Sequence, residues 1–302
     1  MNLKAIILGV FLILIIWIGY VAYAVMTAEP QVEAKWGNVS DSTTEIIIDA
    51  SLRHPLLVPV GINELSINFT GVKVAWVNEF NYGATKSDMS LSLLIDNYNL
   101  VRSLINYLDN GQQGEAEIVF KGKVLGLIPI NADIKENISE NILGYLNFTA
   151  ESRDYLNGLF QTPALLGTKV DWAGESHGKA LLVTHMKFYN PNSYPLPVAN
   201  TSFDIYANGI KIGYGSTKKA VVIPAKGYAT IDVDTYIYEN ALPKVWALHV
   251  QNGEKSTVRA DIFLNLKLLG KEYNVKIASY EETVQTNIMG ELNRMLNDML
   301  KG

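Results

Sequence analysis

No cysteine occurs in the 302 residues, so disulfides, thiolate nucleophiles and cysteine-bound metals are excluded together. Histidine is almost as scarce. His54, His177, His185 and His249 are the whole supply, which leaves little for imidazole chemistry. An H-E-x-x-H zinc helix and a G-x-x-x-x-G-K-[ST] phosphate loop are both missing, and with them two common routes to catalysis. Positive charge is not in excess either. The 25 Lys and Arg stand against 30 Asp and Glu, a net of −5, so the basic footprint of a general nucleic-acid binder is absent. The length corresponds to about two domains.

What is plentiful is apolar sequence at the amino end. Ala5 to Ala28 are 24 consecutive uncharged residues, dominated by Ile, Leu, Val and Ala. At about 1.5 Å per residue a helix of this length crosses a hydrocarbon core of about 30 Å. The expectation is a transmembrane anchor and its exit over residues 1–33, with the lipid bilayer as partner through residues 5–28. A cleaved signal peptide is the rival, offered by Lys4 and the small-x-small site Ala22-Tyr23-Ala24; the apolar run continues past that site, which favours the anchor. Lys4 on one side and Glu29, Glu33 and Lys35 on the other put the amino terminus in the cytoplasm by the positive-inside rule. A single-pass protein of the cell membrane follows, with its domains extracytoplasmic. Five N-x-S/T sequons, at Asn38, Asn68, Asn137, Asn147 and Asn200, agree with that side only weakly.

The most informative feature is an internal repeat. Trp36–Pro55 can be laid on Trp172–Pro191 at a constant offset, and Pro59 meets Pro195 at the same offset. Val72-Lys73-Val74 then meets Ile210-Lys211-Ile212, Asn110-Gly111 meets Asn252-Gly253, and Asn141-Ile142-Leu143-Gly144 meets Asn287-Ile288-Met289-Gly290. The offset grows in loop-sized steps while the order is kept, which is how a duplication reads. Charge has diverged between the copies. Residues 36–160 carry 8 basic and 15 acidic side chains, residues 161–302 carry 15 and 13.

Within each copy the pattern has the period of strands. Leu182, Thr184, Met186 and Phe188 share one face of an extended segment, and Ile231, Val233 and Thr235 alternate with Thr230, Asp232 and Asp234. Asn208-Gly209 between two such runs predicts a tight hairpin. One short helix interrupts each copy, read from Leu100, Leu104 and Leu108 and from Leu242, Trp246 and Val250. Near the carboxyl end Val284, Ile288, Met289, Leu292, Met295, Leu296 and Met299 form an apolar stripe. That stripe is a helix packed on the preceding domain or, alternatively, a docking helix for a partner or bilayer.

The expected fold is mainly β: two tandem antiparallel β-sandwiches of fibronectin- or immunoglobulin-like kind, each with a short helix, after the N-terminal transmembrane helix. Its divisions are the anchor and exit at 1–33, a first sandwich at 34–150, a linker at 151–167, a second sandwich at 168–280 and an amphipathic C-terminal helix at 281–302.

In the second copy Tyr189-Asn190-Pro191-Asn192 leaves one strand, Pro195-Leu196-Pro197-Val198 begins the next, and Val221-Val222-Ile223-Pro224-Ala225-Lys226-Gly227 precedes Ile231-Asp232-Val233. With these segments the sequence resembles the late embryogenesis abundant (LEA) type 2 family, also described by the water stress and hypersensitive response (WHy) domain, in a tandem, membrane-anchored, archaeal-like arrangement. The resemblance covers about residues 165–280 and extends more weakly over 36–150, where His54-Pro55 replaces the Asn-Pro pair. It implies a compact β-sandwich with a helix and a noncatalytic role in stress or desiccation tolerance.

Candidate chemical residues are few. His185 and His177 would need Asp171 or Glu175 to hold a metal, and a solvent-facing strand histidine beside a loop histidine is the plainer account. Asp232 and Asp234 share a strand face as a carboxylate pair or as a solvated one. Lys218-Lys219 offers a small basic patch for lipid headgroups. Trp36 and Trp172 stand at equivalent positions, for packing or for a flat ligand. Gly209, Gly213 and Gly215 belong to a hairpin rather than a phosphate loop. No catalytic, cofactor or metal residues are assigned. The function expected is a noncatalytic, membrane-tethered stress-protection or envelope-stabilising protein, with envelope proteins or lipid headgroups as further partners and no nucleic acid. The alternative is an extracytoplasmic scaffold or adhesion module, or a lipid-binding or transfer module.

Overall fold

The computed structural model describes residues 31–299 apart from 53–58, 125, 156–159, 218 and 269. Among the described residues no helix is long and apolar enough to cross a membrane. Their α-helices have 13, 10 and 12 residues, against the roughly 20 apolar residues that a bilayer span needs. The anchor expected at 5–28 lies outside the described residues. A fold opened by a transmembrane helix is therefore corrected to two mainly-β units with short helices. The single-pass location, the bilayer as partner and the membrane-tethered protective role lose their support with it.

Of the described residues, the first unit takes those within 31–140, 246–254 and 285–299, and the second those within 141–245 and 255–284. In the first, β1 (Gln31–Val39), β2 (Thr43–Ser51), β3 (Val60–Phe69), β4 (Val72–Tyr82), β5 (Asp88–Asp96), β6 (Gln113–Val124) and β7 (Ile128–Ser139) surround helix α1 (Asn97–Asp109) in sequence. They form one antiparallel sheet in the order β1-β2-β5-β4-β3-β6-β7. Neighbouring strands pair along the whole order, with register shifts in the β1–β2, β3–β4, β3–β6 and β4–β5 ladders.

The second unit begins with a two-residue strand pair, β8 (Asp154–Tyr155) and β9 (Phe160–Gln161), followed by β10 (Ala164–Ser176), β11 (Lys179–Tyr189), β12 (Leu196–Ala207), β13 (Ile210–Ser216), β14 (Val221–Ile223) and β15 (Tyr228–Tyr238). Helix α2 (Leu242–Gln251), whose residues from Trp246 onward group with the first unit, leads along the chain to β16 (Lys255–Leu268) and β17 (Lys271–Gln285). The order here is β10-β11-β15-β13-β12-β16-β17, with β14 added on β12. Strand for strand the two sheets have one topology, and each sequence places its helix before the sixth main strand. The repeat in the sequence is a repeat in the fold.

Alternation decides which face turns inward. In β2 Ile46, Ile48 and Ala50 are buried while Glu45, Ile47 and Asp49 are not; in β11 Leu182, Thr184, Met186 and Phe188 are buried. The second core collects Met186, Phe188, Leu196, Val198, Ile231 and Ile262, none more than 1% exposed. Each such side chain contributes about 1.5–3 kcal/mol by leaving water. Asn208 and Gly209 carry φ of 50° and 78° at the hairpin between β12 and β13, a left-handed pair that glycine and asparagine accept most readily.

The helices depart from their predicted stripes. In α1 the deeply buried residues are Asn97, Ser103, Ile105, Tyr107 and Leu108, while Leu100 and Leu104 are only half-buried. Tyr107 turns inward because its ring meets Phe69 at 5.6 Å and its hydroxyl engages the backbone of Glu140. Asp96 caps the helix by accepting from the Tyr98 and Asn99 N–H groups. The C-terminal helix α3 (Ile288–Met299) starts later than the apolar stripe suggested, since Val284 lies in β17 and is 46% exposed. Ile288, Leu292 and Leu296 are its buried face, at steps of four. It belongs to the first unit. Its Asn293 amide accepts from the Ala34 N–H at 2.7 Å and donates to the Ala34 carbonyl at 2.8 Å, a side chain imitating a neighbouring strand on the edge of β1.

Candidate binding face of the second unit

Residues of β11 and β15 that point away from the core form a continuous face. The ladder pairs Tyr189 with Tyr228, Lys187 with Thr230, His185 with Asp232, Val183 with Asp234, Leu181 with Tyr236 and Lys179 with Tyr238. At about 3.4 Å per residue the run from Tyr228 to Tyr236 is about 27 Å long. Aromatic rings occupy both ends. At one, Tyr189 and Tyr228 meet at 5.0 Å with the Lys187 ammonium 5.7 Å from the Tyr228 ring centre. At the other, Tyr214 from β13 stacks on Tyr236 at 5.0 Å and 19°. Nearby, the Arg259 guanidinium lies 5.0 Å from the Tyr206 ring.

Between the aromatic ends sits the histidine. His185 Nδ1 is 2.7 Å from Asp232 and Nε2 is 3.0 Å from Asp171, and Asp171 also meets the Lys169 ammonium at 2.9 Å. The hydrogen bond to Asp232 raises the His185 pKa above 6.5; partial burial opposes this and Asp171 adds to it. The structure thus brings together His185, Asp171 and Asp232, and it pairs His185 across strands rather than with the loop. His177 stays exposed in the β10–β11 turn at φ 53°, and Glu175 is exposed near the end of β10. No group of three His, Cys, Asp or Glu side chains suited to a metal occurs among the described residues.

The remaining candidates are structural. His249 is buried, with Nε2 2.9 Å from the Thr286 hydroxyl, and burial holds its pKa below 6.5. Trp36 packs edge-on against Trp246 at 6.2 Å and donates its indole N–H to Glu254 at 3.1 Å. Trp172 is half-buried within β10. Asp232 and Asp234 lie on the outward face, as their alternation indicates, with Asp232 on His185. Lys219 is exposed, and Lys218 and His54 lie outside the described residues. One string escaped the sequence reading: Gly174-Glu175-Ser176-His177-Gly178 spells G-x-S-x-G, the letters of a hydrolase nucleophile elbow. Here it is the tip of a β-hairpin, with Ser176 in register with Lys179, not the strand-to-helix turn that such a nucleophile requires.

The Asn-Pro turn is a buried hydrogen-bond hub. Asn190 is fully buried; its amide donates to the carbonyls of Tyr194, Ile223 and Pro224 at 2.8, 3.3 and 3.0 Å, and its oxygen accepts from the Asn192 N–H at 2.9 Å. It holds the loop before β12 to the end of β14.

The first unit turns a different face outward. At the matching ladder positions Asp49 pairs with Ser90, Glu45 with Leu94 and Thr43 with Asp96. Ion pairs join Lys35 to Asp49, Lys121 to Glu64, and Lys135 to Glu115 and Glu117 at 2.7–3.1 Å. Tyrosine is the signal that sequence reading passed over: Tyr206, Tyr214, Tyr228, Tyr236 and Tyr238 fall on strands whose outward positions in the first copy are mostly polar.

Comparison with known proteins agrees with a LEA type 2 likeness in the second copy. The family profile described as Late embryogenesis abundant protein (LEA_2) matches residues 185–277. Among solved structures, a protein from Archaeoglobus fulgidus is 21% identical, covering 41% of this chain and 98% of its own, with a TM-score of 0.35. A protein from Arabidopsis thaliana is 17% identical, covering 45% of this chain and 91% of its own, with a TM-score of 0.29. At these scores the two likenesses carry no functional argument. No curated protein matches the chain.

Proposed function

We propose that the protein is a scaffold that binds a partner through the outward face of its second unit. The observation that carries this reading is the contrast between two copies of one topology. Their inward faces are alike, apolar and buried, and both outward faces carry ion pairs, but where the first unit sets Lys73 over Trp76 the second sets a run of tyrosines flanked by lysine and arginine. Tyrosine supplies large contact area at small entropic cost, and tyrosine and arginine are enriched among the side chains that dominate protein interfaces.

The test is photo-crosslinking in cells from two positions, Tyr228 of the second unit and Asp88 of the first. A constant partner captured from position 228, absent from position 88 and lost when Tyr236 is changed to Leu, is the expected result. Equal and uncorrelated capture from both positions would overturn the proposal.

A further inference from the structure

Lys179 is the first residue of β11, directly after the His177-Gly178 turn. Its ammonium lies 5.5 Å from the ring centre of Tyr214, 5.9 Å from that of Tyr236 and 5.5 Å from that of Tyr238. The backbone explains the convergence. Tyr236 and Tyr238 are two residues apart on β15, β13 sets Tyr214 opposite Tyr236, and β11 sets Lys179 opposite Tyr238. Tyr214 and Tyr236 lie nearly parallel, and Tyr238 is 5.9 Å from Tyr214 and inclined to it at 42°, so a stacked pair and a third, angled ring converge on the Lys179 ammonium. That place already holds a cation.

We propose that Tyr214, Tyr236 and Tyr238 form a binding site for the quaternary ammonium group of a small solute, and that Lys179 is the internal cation occupying it in the free protein. Ring faces attract any cation through their quadrupole, but the cost of bringing one there differs. A lysine ammonium is compact, strongly hydrated and carries three N–H donors that the rings satisfy poorly. A quaternary ammonium has no N–H to satisfy and holds its water weakly, so the same rings favour it. Lys179 has a flexible stem and stands at a turn, free to carry its charge back to water.

Two further observations fit a ligand. An open cleft of about 600 Å³ adjoins the rings, lined by Tyr214, Tyr238, Asp204, Lys211 and Asn274 among others. This is room for the body of a solute whose head is in the aromatic site, with the Asp204–Lys211 pair, 2.8 Å apart, at its side. The first unit has Thr43 opposite Asp96 and Trp76 opposite Leu94 at the matching positions, so the ring cluster belongs to the second copy alone. The inference deepens the binding-face reading by naming a ligand class, and it requires no macromolecular partner.

The experiment is calorimetric titration of the full chain with tetramethylammonium chloride at constant ionic strength, with circular dichroism on every variant. Lys179→Ala should bind the probe about tenfold more tightly than the parent, because the internal competitor is gone. Adding Tyr236→Leu should weaken that binding about tenfold; leucine stands at the equivalent position of the first unit, so the variant is expected to fold. Tyr228→Ala, at the far end of the face, should leave binding unchanged. A neutral alcohol whose tert-butyl head matches the probe in shape, 3,3-dimethylbutanol, should not bind. No gain in Lys179→Ala, binding that survives Tyr236→Leu in a folded protein, or equal binding of the neutral alcohol would each overturn the proposal. Loss of crosslinking with retained tetramethylammonium binding would reject the partner reading and leave this site standing.

Discussion

Single side chains hold the junctions of this protein. Glu254 sits at φ 62° and is buried, accepting from the N–H groups of Ile288 and Met289, from the Thr286 hydroxyl and from the Trp36 indole. Burial pushes its pKa up, but the bonds from Met289, Ile288, Trp36 and Thr286 outweigh it and hold the carboxyl below 4.5. A folded-state pKa below the unfolded one means that this contribution is present above pH 4.5 and is lost as pH falls through the folded value. Glu254→Ala should cost at least about 3 kcal/mol at pH 7, from several donors left without an acceptor, read by urea unfolding; the deficit should shrink below pH 4. His185 has the opposite sign. Its pKa is raised, so its contribution is complete below 6.5 and fades as pH rises through the folded value. The pairs are partly exposed, and His185→Gln should cost only about 0.5 kcal/mol at pH 5.5 and nothing at pH 9, a difference visible in paired urea curves.

Among the elements, β13 shows what a strand sequence conceals. Gly213-Tyr214-Gly215 reads as a weak strand because glycine has no side chain to pack. The structure gives Gly215 a purpose, since a Cβ there would run into the Phe203 ring, and Phe203 is buried in the core on the neighbouring strand. Gly215→Ala should destabilise the protein by about 1–3 kcal/mol through overpacking and disturb the Tyr214–Tyr236 stack; thermal melts and near-ultraviolet circular dichroism measure both. The strands of the second core were legible from period-two alternation, and so were the Asn208-Gly209 hairpin and the presence of each helix. The buried side of α1 was not. Its Leu100, Leu104 and Leu108 stripe suits an isolated amphipathic helix, whereas Ile105 and Tyr107 face inward because Phe69 and the Glu140 backbone lie there to receive them. The candidate face was half legible. His185 and Asp232 were visible as alternating outward residues, but the tyrosines come from β12, β13 and β15, and no local pattern announces that they meet.

For the whole molecule, the duplication has a consequence that chain order hides. The first unit includes residues 246–254 and 285 onward, although its own repeat ends near residue 150. Ala247, Val250, Ile288, Leu292 and Leu296 are buried, and Asn293 covers the edge of β1. A fragment of residues 31–150 should therefore be less stable than the same unit in the full chain by more than about 5 kcal/mol, at about 1.5–3 kcal/mol for each large apolar side chain lost. Hydrogen exchange would show it as fast exchange at Ala34 and along β1. Protection in the fragment equal to that in the full chain would mean that the distant segments contribute nothing. What the sequence alone determined is what depends on neighbours in the chain: strand period, turn chemistry, the repeat and the poverty of catalytic groups. Only the tertiary structure decided which unit the last helix joins, what Glu254 holds and where the tyrosines gather. Those contacts join residues tens to hundreds of positions apart, and nothing in local periodicity encodes a partner at that distance.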